Sequence, residues 1–127
     1  MRPEFPEEQR ALTDKMLKKR LWAILTRTHS SAEEVKKNIA AHLNHQIELE
    51  KKGILFGAGP LADPDGKLAG FGLILIRADS EEEARRIADS DPMHKNGLRT
   101  YTLHQWCLNE GRINITLNFS DQTYSLD

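Results

Sequence analysis

The sequence predicts an α+β domain with its elements in the order β-α-β-β-α-β, and three observations predict it. Ser31-Ala32-Glu33-Glu34 and Ser80-Glu81-Glu82-Glu83 both have the serine-to-glutamate spacing of a capping box, and each opens a helical pattern. Four short apolar, β-rich runs flank those helices. The turn Asp63-Pro64-Asp65-Gly66 separates the middle two runs, with Pro presetting φ and Gly accepting φ > 0.

In chain order, residues 7–19 read as a short charged helix, with Leu12 and Met16 at helical spacing and Pro6 near its start. Leu21-Trp22-Ala23-Ile24-Leu25-Thr26 is the first strand. The helix capped by Ser31 runs to Lys52, where Gly53 supplies a C-terminal stop. Ile54-Leu55-Phe56 is a strand that ends at Gly57-Ala58-Gly59-Pro60, and residues 70–77 are the most strand-like segment. The helix capped by Ser80 ends at Asp91-Pro92 because proline disfavours helical geometry in the residue before it. Arg99 to Leu108 is a strand, and Ile113 to Phe119 alternates well enough to be one more.

This order is the ferredoxin-like arrangement, a four-stranded antiparallel sheet with both helices on one face. Leu73, Leu75 and Trp106 cannot all point at the helices, so the second sheet face needs a cover. The simplest cover is a second copy of the same sheet, which makes a homodimer the expectation. Residues 1–20 then form an N-terminal helical extension, 21–109 the domain, and 110–127 a C-terminal extension with an extra strand.

With 127 residues, 18 Lys+Arg against 19 Asp+Glu and a mean hydropathy of −0.58, the chain reads as one globular domain. Near-balanced charge gives no bulk field for nucleic acid or an anionic membrane surface. The lone Cys107 has no partner for an intramolecular disulfide, and a reducing cytoplasm is the expected compartment. The N-terminus has no apolar signal-like core, and no run of 18 apolar residues occurs.

Two residues stand out. On a helical wheel Val35, Ile39, Leu43 and Leu49 share one face; His42 lies near its middle, with Gln46 beside it and His45 at the polar edge. An imidazole there costs stability unless it finds a partner, and on pattern alone the commoner partner is a backbone carbonyl. Asp91 before Pro92 is, on pattern alone, more often a cap or turn residue. Topology changes the balance, because the end of the second helix can face the middle of the first. A carboxylate at that point fixes the imidazole tautomer, and a His–Asp pair performs acid/base chemistry near neutral pH.

The remaining candidates are weaker. His94 follows Asp91 closely enough to line the same cavity, although a solvated loop histidine is the commoner case. His29 and His104 have no ligand-spaced partner, and His42 with His45 lacks a carboxylate pattern, so no metal is expected. No helix opens behind Gly57-x-Gly59 to hold phosphate, which fails the dinucleotide reading. Cys107 reads as inert strand packing.

These segments resemble the YciI-like (YCII-related) family of the dimeric α/β-barrel group. The resemblance spans roughly residues 21–109. It rests on Ala41-His42-Leu43, Lys52-Gly53-Ile54-Leu55-Phe56-Gly57-Ala58-Gly59-Pro60-Leu61, the Gly-Phe-Gly-Leu-Ile-Leu-Ile strand, and Ala88-Asp89-Ser90-Asp91-Pro92 with Gly97 beyond. It implies a ferredoxin-like dimer with sheets face to face, and His42 and Asp91 match the family's proposed active-site pair. The chain departs from the family pattern at both ends.

The expected function is therefore cofactor-free acid/base catalysis, an elimination or isomerisation of a small cyclic or aromatic molecule. His42 is the base and Asp91 orients it, while Phe56, Gly59, Pro60 and His94 line the pocket. One rival is a non-catalytic module that holds a metabolite in the same pocket. The other is a cofactor-free oxygenase or haem protein, both found among relatives of this architecture, although so short a chain offers haem little room.

Overall fold

The computed structural model describes residues 3–127. Two compact units make up the chain: one is built on Arg20–Cys107, and the other joins Glu4–Lys19 to Leu108–Asp127.

The first unit is the β-α-β-β-α-β arrangement. Strand β1 is Lys19–Thr28, β2 Leu55–Ala62, β3 Leu68–Ile76 and β4 Arg99–Leu108, and they form one antiparallel sheet in the order β2-β3-β1-β4. Register follows from alternation: Ile24 pairs Ile74 and Trp22 pairs Ile76, so these side chains share a face. That face packs against the helix Glu81–Ser90 through its buried Ala84 and Ala88. Alanine at both sites lets the helix backbone approach the sheet closely.

Both capping serines act as expected. Ser31 Oγ accepts from Glu34 N at 3.3 Å and opens the helix Ala32–Lys51, while Ser80 Oγ accepts from Glu83 N at 3.1 Å. The stop at Gly53 holds too, with φ +75.

Four expectations need correction. Strand β2 runs through Gly57-Ala58-Gly59-Pro60 instead of ending there. It is an edge strand, where a proline lacking N–H breaks no ladder. Pro92 does not leave a loop: Asp91 caps a further one-turn helix, Pro92–Lys95. The N-terminal helix is shorter than 7–19, with a 3₁₀ turn at Glu7–Gln9 and a helix at Arg10–Thr13 only. Thr13 Oγ1 bonds back to Gln9 O at 3.2 Å, and so short a segment propagates poorly. The alternating stretch at 113–119 yields β5 at Ile115–Asn118, paired with an unforeseen β6 at Thr123–Leu126. An Asx turn joins them, Asp121 Oδ1 accepting from Thr123 N at 3.1 Å.

No helix among the described residues is long and apolar enough to cross a membrane. In the sequence order of helices, α1 is Arg10–Thr13, α2 Ala32–Lys51, α3 Glu81–Ser90 and α4 Pro92–Lys95.

Candidate active site

The residues that α2 buries are His42, Gln46 and Leu49, whereas Leu43 and Ile47 are 52% and 47% exposed. The apolar stripe read from the sequence is thus divided. One flank enters the core, and the other faces an open cavity of about 570 Å³ between α2 and the helix-facing side of β1–β3. His42, 9% exposed, lies on the boundary and borders that cavity.

Asp91 is held by the backbone before it is held by His42. Pro92 drives it into an extended conformation (φ −62, ψ 127), which ends α3 and makes it the N-cap of α4. Its Oδ1 accepts the Met93 N–H at 2.9 Å. The same carboxylate meets α2, with His42 Nδ1 at 2.9 Å from Oδ1 and 2.8 Å from Oδ2, and Gln46 Nε2 donating to Oδ2 at 3.1 Å. The cap reading and the pairing reading of Asp91 both hold, because one carboxylate has lone pairs enough for three donors.

Asp91 is 3% exposed, and that burial pushes its pKa up. The His42 hydrogen bond, the Met93 N–H and the favourable fields of His42 and His94 outweigh it, and the net effect holds the carboxyl below its ordinary 3.8. An ionised carboxylate can only accept, so Nδ1 carries the proton and Nε2 of the neutral ring keeps its lone pair. No described residue hydrogen-bonds Nε2. Asp91 does not border the large cavity; it lines a void of about 10 Å³, too small for any substrate.

Gly59 and Pro60 border the large cavity. Phe56 and His94 do not. Leu55 pairs with Ile76 and shares its helix-facing side, so alternation turns Phe56 to the other face, where the Arg77 guanidinium stands 5.3 Å over its ring. The one-turn α4 brings His94 back beneath α3, where Nδ1–H donates to Ala88 O at 2.7 Å and Nε2 accepts from Thr26 Oγ1 at 2.8 Å. Both its nitrogens are committed, and it supports Thr26, which does border the cavity. His45 donates from Nε2 to Ser90 Oγ at 3.0 Å on the surface, since that hydroxyl already donates to Ile87 O.

Among the polar lining residues, Thr26, Gln46 as a partner of Asp91, Glu50 and Arg99 were not singled out from the sequence. Gln46 was within reach of sequence reasoning, four residues after His42 on one helix face. Arg99 gave no signal among the other basic residues.

The YCII-related domain family matches residues 20–107, a span that carries the whole sheet, both long helices and the dyad. The chain belongs to the YCII-related family. A YCII-related chain of this kind is also similar to "Derivative of benzaldehyde biosynthesis cluster protein C" of Emericella nidulans, at 36% identity over 86 residues, covering 61% of this chain and 88% of that protein. Among solved structures it resembles 5-chloro-2-hydroxyhydroquinone dehydrochlorinase from Burkholderia phenoliruptrix AC1100, in complex with 2,5-dihydroxybenzoquinone. That likeness has a TM-score of 0.57 and 23% identity, covers 68% of this chain and 92% of that one, and bears on the fold.

Proposed function

We propose that this chain is a small-molecule enzyme that uses His42 as a general base for elimination or isomerisation of a small cyclic or aromatic substrate. One observation carries the reading. His42 Nδ1 is held by both oxygens of a buried carboxylate, Nε2 is unbonded, and the residue borders a cavity of about 570 Å³. That volume suits a compact organic molecule, and the apolar walls from Ile39, Leu43 and Leu55 favour a ring.

In the proposed step Nε2 removes a proton from a carbon of the substrate, and the ring becomes imidazolium. Asp91 acts as a positioning residue that fixes the tautomer and stabilises this charge. In an elimination the C–H electron pair forms the new double bond and the leaving group departs with its own pair. In an isomerisation the imidazolium returns the proton to a different carbon. Neither route calls on a cofactor. The dehydrochlorination in the structural neighbour's name and the benzaldehyde in the relative's name fit this class of reaction and substrate.

The same reading has the enzyme working in the cytoplasm as a homodimer, with sheets face to face. Leu25 and Trp106, 40% and 38% exposed on the sheet face opposite α3, support the pairing.

Hydrogen–deuterium exchange at acidic C–H positions, followed by NMR in D₂O over a panel of small cyclic ketones and hydroxyaromatics, tests the catalytic step. Wild type is expected to accelerate exchange in at least one compound, with His42→Gln slower by about 10²–10⁴-fold while fully folded. Equal exchange by folded wild type and His42→Gln would leave a binding module in place of an enzyme.

A further inference from the structure

We infer that Arg99 forms an oxyanion subsite in the same cavity, and that the substrate is a small cyclic or aromatic acid whose ionised oxygen pairs with its guanidinium. This rests on the proposed function only for the identity of the base.

Arg99 opens β4 and borders the cavity. Its Nε donates to Thr28 Oγ1 at 3.1 Å, which tethers the side chain and aims the fork. Its two terminal nitrogens meet no hydrogen-bonding or ionic partner among the described residues. Two other arginines of this unit differ. Arg27 lies 4.1 Å over the Phe71 ring, and Arg77 donates to Gly53 O and Leu55 O. Arg99 is the basic side chain left with donors to offer this cavity.

A planar fork of that kind matches the two oxygens of a carboxylate, or the oxygen of a phenolate or enolate, better than a point charge does. Spacing agrees with a small ring. Thr26 borders the cavity together with His42, and the guanidinium is tethered at Thr28, two residues or about 7 Å farther along β1 from Thr26. The cavity's other charge, Glu50, is on the last turn of α2 near Leu55, which like Trp22 pairs with Ile76. Trp22 and Thr28 are six residues, roughly 20 Å, apart on β1. An anionic group placed at Arg99 therefore stays clear of Glu50. Proton removal by His42 also deposits negative charge on the substrate, and donors already aimed at that charge stabilise it as it forms.

The test is equilibrium binding of benzoate and 4-nitrophenolate, each against a neutral counterpart (benzamide and nitrobenzene), by titration calorimetry and NMR. Wild type is expected to prefer at least one anion by about tenfold or more. Arg99→Gln is expected to erase that preference, Arg99→Lys to restore part of it, and Glu50→Gln to leave it in place. His42→Gln is expected to keep the anion preference within about threefold while losing the exchange activity, so the two readings fail separately. No preference for either anion in wild type would overturn the subsite. A preference that survives in folded Arg99→Gln would do the same, and neither result would touch His42.

Discussion

At Asp91 one carboxylate does two jobs, and its protonation weakens both. It caps α4 through Met93 N and orders His42 through Nδ1, and its pKa is held below the ordinary 3.8. The sign follows from linkage. A carboxyl whose folded pKa is depressed adds stability that is fully present above its unfolded value and is lost as pH falls through the folded value. Thermal midpoints taken from pH 6 downward are therefore expected to fall below about pH 4. Asp91→Asn retains a capping oxygen but not the charge, and its midpoint is expected to be lower at pH 6 and flatter through the acid range. An acid limb as steep in Asp91→Asn as in wild type would assign that loss to other groups. The dyad was visible in sequence only as two residue types in suggestive places. Which nitrogen is open was not, because that depends on a carboxylate 49 residues away.

Among the elements, β2 and β3 shape the cavity wall, and their glycines are not equivalent. A Cβ on Gly72 would stand 2.9 Å from Thr26 Cγ2, across the β1–β3 pair. Thr26 is buried and bonded to His94, so it has little room to yield. Gly72→Ala is expected to cost about 1–3 kcal/mol in urea unfolding, whereas Gly59→Ala, with nothing within 4 Å of its Cβ, is expected to stay within about 0.5 kcal/mol. Equal midpoints for the two variants would show that the strands separate more easily than this packing implies. Helix starts were legible at this scale because a cap joins residues three apart. Which face of β2 carries Phe56 was not, since it depends on how Leu55 seats against Ile76 of β3.

For the molecule as a whole, alternation places Leu25 opposite Ile24, away from the core that Ile24 enters with Ile74 and Ile76. If sheets pair face to face, light scattering at micromolar concentration is expected to report a dimer, with an interface above roughly 1,200 Å² in total. Leu25→Arg would bring like charges together across such an interface and is expected to shift the protein to monomer without unfolding it. A monomeric wild type would remove the proposed pairing and leave the terminal extensions as the candidate cover.

The sequence by itself determined the β-α-β-β-α-β order, both capped helix starts and the two residues of the dyad. Each of these rests on contacts within a few residues or on a periodicity of 2 or 3.6. Only the tertiary structure decided that the apolar face of α2 divides between core and cavity, that Phe56 and His94 lie outside that cavity, and that Arg99 borders it. These are outcomes of packing between segments far apart in the chain. A helix wheel places His42 and Leu43 on one apolar face, but only the neighbours supplied by the fold separate a buried residue from one open to a ligand.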